Sequence, residues 1–359
     1  MSKVILQTSL HPVDLALVGA NFGAKIARGL APQAAHVRLQ GVCDLDAGRA
    51  RKLGAELEVP VYDSLEDILR DPGVEAVGLF TSPTGRGDLL VKILEAGKHV
   101  MTTKPFELDE AAARRAFAAA RLNGLALHLN SPSPIPGRDL AAMQTWLRRG
   151  DLGRIVSFQA RTWADYREIA DGTWMDDPRR CPAAPLFRLG VYFLNDFAAL
   201  VGEAKEVAVQ QSRVRTGRPT VDNAQISIRF QNGALGHIFA SFCIGDGLPY
   251  RDEVTLLGEH GRIERWVERT GRIDMSGDHA VAELRLRDRP PQRVTTLPGE
   301  FAGWYNWQAF QAAIRQEPGA VLQAADPVLY GVRLLAAIAR SAAEGRPITL
   351  REFPANTER

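Results

Sequence analysis

The apolar run Val13–Val18, broken only by Asp14, leads directly into Gly19-Ala20-Asn21-Phe22-Gly23-Ala24 and then into a helical pattern. A run without polar alternation reads as a strand buried on both faces. A strand that ends in a glycine turn and opens a helix is the first unit of a phosphate-binding βα fold. The pyrophosphate of a dinucleotide needs backbone N–H groups at a helix start and small side chains that let it approach. Gly19 makes the tight turn and Gly23 adds freedom, with Phe22 beside it. Ala24 permits close helix–strand packing. Asn21 stands where the usual pattern has its second glycine, and asparagine tolerates a left-handed backbone better than most residues. A plain strand-to-helix turn would look the same.

Asp44 narrows the choice. It ends the second apolar run, 21 residues after Gly23. A carboxylate there accepts hydrogen bonds from ribose hydroxyls and repels a 2′-phosphate, which favours NAD over NADP. NADP stays possible, because Arg49 and Arg51 are near enough in sequence to take a phosphate. Asp44 can also serve as a cap for the helix that follows.

The same texture continues to residue 130. Val37–Cys43, Glu75–Phe80 and His99–Met101 read as strands. Asp46–Leu57, Ser64–Arg70, Asp88–Ala96 and Asp109–Leu122 read as helices, with Ser64 and Asp67 forming a variant capping box. Such alternation predicts a parallel sheet covered on both faces. The proline-rich SPSPIPG (131–137) then marks a connection. Beyond it, Ile155–Trp163, Glu206–Val214, Ala224–Phe230, Leu235–Cys243, Glu253–Leu257 and Ala282–Leu286 read as strands. Asp139–Arg149, Pro185–Val201, Trp304–Arg315 and Pro327–Glu344 read as helices. The expectation is an α/β protein: an N-terminal Rossmann domain with a parallel sheet (1–130), then an α/β domain with a large, mostly antiparallel open sheet (131–359). A chain of 359 residues suits two cores.

Composition excludes several classes. A net charge of +2 gives no global basic surface for nucleic acid. Cys43, Cys181 and Cys243 lie far apart, as neither a disulfide framework nor a paired metal motif. The seven histidines show no helical pair or cysteine partner at ligand spacing, so no metal site is expected. No apolar run reaches the ~20 residues that cross a bilayer. The start, MSKVILQTSLHP, is a poor signal peptide. A cytoplasmic protein is expected.

With these motifs in place, the chain resembles the Gfo/Idh/MocA family (glucose–fructose oxidoreductase, inositol dehydrogenase, rhizopine catabolism). The resemblance rests on Gly19–Ala24, Asp44, Thr81-Ser82-Pro83 and above all Glu95-Ala96-Gly97-Lys98-His99-Val100-Met101-Thr102-Thr103-Lys104-Pro105. It continues through Asn130, Leu147–Ile155 and Leu189-Gly190-Val191-Tyr192. It implies NAD(P)-dependent oxidoreduction of a sugar, cyclitol or sugar acid, and a homodimer or homotetramer formed through the open sheet. It also implies cofactor contacts from Thr81, Ser82, Pro83, Arg86, Thr103, Lys104 and Asn130. Some relatives bind a dinucleotide or sugar without turnover, and some hydrolyse glycosides through a redox step. Four departures stand out. Thr103 replaces the usual Glu before Lys-Pro. Arg86 replaces a histidine, and Cys181–Pro185 replaces a glycine-rich run. Arg188 and Tyr192 stand where an aspartate and a histidine are common.

Dehydrogenation of an alcohol needs a hydride acceptor, which the cofactor supplies, and a base for the hydroxyl proton. Lys104 follows the fourth strand at the carboxyl edge of the sheet, where ligands bind in this architecture. Lysine is scarce, seven against thirty-seven arginines, so a lysine at that edge reads as functional rather than as a solvated surface group. Arg188, Tyr192 and Asn195 fall at i, i+4 and i+7, on one face of a helix, with Leu189, Phe193 and Phe197 on another. A tyrosine near cations is a candidate base, because positive charge favours the phenolate. Arg188 cannot be a base but can bind a substrate carboxylate or phosphate. Equally, Tyr192 can be a packing residue and Arg188 the partner of a structural acid. Trp174, with Asp176 and Asp177 in the loop before this helix, is a further candidate for substrate contact.

Overall fold

The computed structural model describes residues 11–270, 277–300 and 303–352; the N-terminal stretch weighed as a signal peptide lies mostly outside these. Two compact units form. The first comprises residues 1–103, 111–135 and 305–323; the second comprises 104–110, 136–304 and 324–359.

The first unit is built on a five-stranded parallel sheet, β1 (Val13–Val18), β2 (Val37–Cys43), β3 (Ala76–Leu79), β4 (His99–Thr102) and β5 (Leu127–Leu129), in the order β2-β1-β3-β4-β5. Helices α1 (Phe22–Arg28), α2 (Ala47–Leu57), α3 (Leu65–Arg70), α4 (Arg86–Glu95) and α5 (Glu110–Leu122) accompany the strands. The strand order reverses between β1 and β3, which opens a crevice at their carboxyl ends. Side chains of β1 and β3 are almost all buried, as unalternating apolar runs require. Ser64 caps α3 by accepting from the Asp67 backbone N–H at 3.2 Å, as its sequence predicts.

A single cut after residue 130 differs from this division: 104–110, with Lys104, group with the second unit, and 131–135 and 305–323 group with the first. Residues 305–323 return to it late in the chain. Helix α8 (Trp307–Ile314) buries Trp307 and Phe310 in the same core as Leu15, Leu17 and Val37. Polar contacts fix it as well. Gln311 donates to the carbonyls of His11 and Ala35, and Arg315 pairs with Glu75 at 2.5 Å. The apolar face of α8 needs a core, and its sequence neighbours do not reveal which one.

The second unit carries a nine-stranded, mostly antiparallel sheet. Its strands are β6 (Ile155–Trp163), β7 (Ala204–Ser212), β8 (Asn223–Phe230), β9 (Leu235–Ser241), β10 (Arg251–Gly258), β11 (Gly261–Glu268), β12 (His279–Leu286), β13 (Arg289–Thr295) and β14 (Ile348–Thr349). The order is β13-β12-β11-β10-β6-β9-β8-β7-β14, and β6 and β9 run parallel. Helices α6 (Arg138–Arg148), α7 (Val191–Leu200) and α9 (Ala325–Glu344) belong to this unit. Strand β8 shows the logic: Ala224, Ile226, Ile228 and Phe230 are buried, while Gln225, Ser227 and Arg229 are exposed. Phe197 of α7 meets Phe158 of β6 and Phe230 of β8 edge to face, at 5.9 and 5.2 Å between ring centres. Truncating so buried a ring to alanine costs about 3–5 kcal/mol.

Candidate functional site

The turn after β1 is glycine-dependent. Gly19 has φ +95°, and a side chain there would lie 2.7 Å from the Phe80 carbonyl oxygen at the end of β3. At Gly23 a side chain would meet Leu17 at 2.9 Å. Ala24 is buried as expected, whereas Phe22 is partly exposed with its ring edge-on to Phe80. Asn21 departs from expectation. Its φ is −78°, so it does not use the left-handed conformation, and its side chain makes no cap to α1. The first N–H groups of a helix have no intrahelical acceptor. With no side-chain cap on α1, those of Phe22 and Gly23 form a donor set that suits a phosphate.

Asp44 is tied to this turn. One oxygen accepts from the Ala20 N–H at 2.6 Å and the other from the Asp46 N–H at 2.8 Å. Arg49 lies 3.3 Å from it. The helix cap is Asp46, which accepts from Gly48 and Arg49, so Asp44 is not the cap of α2. The Asp44 carboxylate is thereby fixed to the turn after β1 through both of its oxygens.

At the ends of β3 and β4, Arg86 is fully buried rather than open to a ligand. It donates to the Thr103 carbonyl at 2.6 Å and to the Thr81 carbonyl. It therefore joins the segment Thr81-Ser82-Pro83 to Thr103. Ser82 Oγ accepts from the Thr84 N–H at 3.2 Å and shapes that turn. Tyr305 adds a residue that sequence reasoning missed. Its hydroxyl donates to Thr103 Oγ1 at 2.8 Å, and Thr103 donates to Asn130 at 3.4 Å. Burial holds the Tyr305 phenol well above its ordinary pKa, against the opposing Thr103 hydrogen bond. No local signal marks Tyr305, because its partner lies 202 residues away.

In the second unit, Lys104, Arg188 and Tyr192 do come together. The Lys104 ammonium donates to the backbone carbonyl of Arg188 and stands 4.4 Å above the centre of the Tyr192 ring. The ring face attracts the cation. The expected single helix over 185–201 is instead a π turn at Leu186–Gly190 followed by α7. The Arg188 side chain turns to Glu168, while the Tyr192 ring meets Lys104. Leu189, Phe193 and Phe197 are buried as expected. Asn195 lies against Gly331 of α9, where a side chain would come within 2.7 Å of its amide oxygen. It packs on a helix.

The Arg188 side chain is already engaged. Both arms of its guanidinium donate to Glu168 at 2.6 Å, and the guanidinium carbon lies 5.2 and 4.6 Å from the ring centres of Tyr166 and Phe242, which pack against each other at 5.0 Å. This favours the structural-acid reading over a receptor for a substrate anion. Glu168 also accepts from Arg218 at 3.0 Å. Arg218 is buried and further donates to Asp171 at 2.7 Å and Asp176 at 2.6 Å. Burial alone would raise the Glu168 carboxyl pKa; the two guanidiniums outweigh it and hold it below the ordinary range. Asp171 is likewise held well down, chiefly by Arg218. The loop so pinned carries Trp174, half-buried against the core. Neither Glu168 nor Arg218 is marked in the sequence, since the charges that pair lie 20 to 50 residues apart.

Among the described residues, no His, Cys, Asp and Glu group could hold a metal ion, and no helix is long and apolar enough to cross a membrane.

Comparison with known proteins fits this architecture. Residues 13–131 match the oxidoreductase family with an NAD-binding Rossmann fold, and residues 140–264 match the GFO/IDH/MocA C-terminal domain. The oxidoreductase YfiI of Bacillus subtilis is 27% identical over 271 residues, 70% of this chain and 68% of its own length. Myo-inositol 2-dehydrogenase of Thermotoga maritima is 25% identical over 232 residues, 63% of this chain and 66% of its own. The chain thus spans about two thirds of the length of these relatives. The crystal structure of aldose-aldose oxidoreductase from Caulobacter crescentus, complexed with glycerol, shares the fold: TM-score 0.73 and 20% identity, over 94% of this chain and 99% of that one. Fold, motifs and matched residues agree that the chain belongs to the GFO/IDH/MocA family of oxidoreductases, with an NAD-binding Rossmann domain first.

Proposed function

We propose that this protein is an NAD-dependent dehydrogenase acting on a neutral sugar or cyclitol hydroxyl, with Tyr192 and Lys104 as its proton-handling pair. The observation that carries this reading is the Lys104 ammonium seated on the Arg188 carbonyl and over the Tyr192 ring. Oxidation of a carbinol removes a hydride from carbon and a proton from oxygen. NAD, when bound, supplies the hydride acceptor. Gly19, Phe22, Gly23 and Asp44 would hold its pyrophosphate and ribose. Thr81, Ser82, Pro83, Thr103 and Asn130, just past the strand ends, would stand beside it, with Arg86 tying the carbonyls of Thr81 and Thr103 together. Tyr192 accepts the hydroxyl proton, and Lys104 holds the substrate oxygen by donation.

A neutral substrate follows from charge. The fork of Arg188 is filled by Glu168, and three carboxylates, Glu168, Asp171 and Asp176, face two guanidiniums. With Lys104 counted, three cations balance these three carboxylates, and both arginines are already paired, so neither guanidinium is left to receive an anionic group. Trp174 offers an apolar face to the C–H side of a sugar ring.

The test is NADH formation from a panel of neutral sugars and cyclitols beside their uronic-acid counterparts. Turnover of neutral members is expected. Tight NAD binding with no turnover of any member would contradict the enzyme reading, and a consistent preference for the acids would contradict the assigned charge.

A further inference from the structure

Lys104 is held by two groups that are not themselves fixed by it. One is the Tyr192 ring and the other is a main-chain carbonyl, that of Arg188. A carbonyl in a π turn is set by the path of its backbone, and the Arg188 side chain ties that path down. Its guanidinium makes two bonds to Glu168 and lies against the packed pair of Tyr166 and Phe242. Glu168 is fixed in turn by Arg218, whose other arms hold Asp171 twice, at 2.7 and 3.0 Å, and Asp176 at 2.6 Å. The segment around Arg218 also binds the loop through its backbone: Gly217 N–H donates to the Glu168 carbonyl at 3.2 Å, and Thr220 donates to the Met175 carbonyl at 2.9 Å. A buried guanidinium with several carboxylate partners, as Arg218 has, holds one geometry, because each alternative leaves an unpaired charge.

We infer that Glu168 and Arg218 are positioning residues: through the Arg188 side chain they fix the carbonyl on which the Lys104 ammonium is seated. The inference rests on the reading of Lys104 as part of the reacting centre. It assigns a purpose to the arginine at 188 beyond its pairing with Glu168. The cation is there to be gripped from one side, so that its backbone presents an acceptor on the other.

Acetic anhydride labelling of the full chain tests this without any substrate. The acetylation rate of Lys104 is read by mass spectrometry against exposed Lys52 and against Lys98, which is seated on the Asp71 and Val74 carbonyls in the first unit. In the unaltered protein Lys104 should label more slowly than Lys52. Glu168→Gln keeps size and removes charge, and it should raise the Lys104 rate relative to Lys52 by about fivefold or more, the scale of weakening one charged hydrogen bond. Lys98 should not change. Arg218→Gln should act in the same direction and serves if Glu168→Gln does not fold. An unchanged Lys104 rate in the folded variants overturns the inference. A rise matched by Lys98 and by a general loss of thermal stability overturns it too, since that marks a structural role only. Because no turnover is read, failure here leaves the dehydrogenase reading standing, and absence of NADH formation leaves the labelling result standing.

Discussion

Arg188 and Glu168 face each other as a two-pronged pair, each guanidinium arm 2.6 Å from a carboxylate oxygen. The arginine is therefore spent within the protein. Arg188→Leu should lower turnover of neutral and acidic substrates by equal factors. It should also destabilise the second unit by about 1–3 kcal/mol, because Glu168 keeps only Arg218. Steady-state kinetics on a sugar and its uronic acid, with a thermal melt, check this; a selective loss on the acid would restore Arg188 as an anion receptor.

Asp44 accepts from the Ala20 N–H at 2.6 Å, which ties its carboxylate to the turn after β1. Asp44→Ala should weaken NAD binding and narrow the gap to NADP, with Arg49 left to meet a 2′-phosphate. Titration of both cofactors on both proteins reads the change. Tighter NADP binding by the unaltered protein would overturn the NAD assignment.

At Gly19 any side chain meets both a positive φ and the Phe80 carbonyl. Gly19→Ala should cost about 1–3 kcal/mol of stability from backbone strain alone. Added NAD should then raise the melting temperature less than it does for the unaltered protein. An equal shift would mean that the turn does not hold the cofactor.

Asp196 of α7 makes a pH prediction. Loss of water around its carboxyl raises its pKa to about 7; Arg265 opposes the shift, and Asp139 and Asp252 add to it. A raised carboxyl binds its proton more tightly in the folded state. Its contribution to stability is present below the unfolded value of 3.8 and fades as pH rises towards about 7. Asp196→Asn should remove that slope and leave the protein more stable than wild type above pH 7. Melting curves at several pH values decide it; parallel profiles for the two proteins would contradict the assignment.

How much of this could be read from residues alone depended on range. The βα turn, the Ser64 cap and the buried runs of β1 and β3 are local patterns, and they were legible. Strand β13 was not, because Pro290 and Pro291 resemble a turn; at a sheet edge they are tolerated. Strand β11 hid behind Arg265, an inward arginine that is buried because Asp139 pairs with it at 2.6 Å. Strand β5 is only three residues long. At the candidate site, Lys104 and Tyr192 were named from chemistry and resemblance. Glu168, Arg218 and Tyr305 were invisible, since their roles depend on pairings across 20 to 202 residues.

In the proposed reaction Tyr192 takes the substrate proton while Lys104 holds the hydroxyl oxygen. Tyr192→Phe removes one oxygen and keeps the ring beneath the ammonium, so folding and NAD affinity should be retained. The direct measurement is the single-turnover rate of NADH formation, in parallel with NAD affinity, for the unaltered protein and Tyr192→Phe. The account predicts a rate lower by about 100-fold or more with NAD affinity little changed. An unchanged rate would remove Tyr192 from the chemistry and contradict the claim.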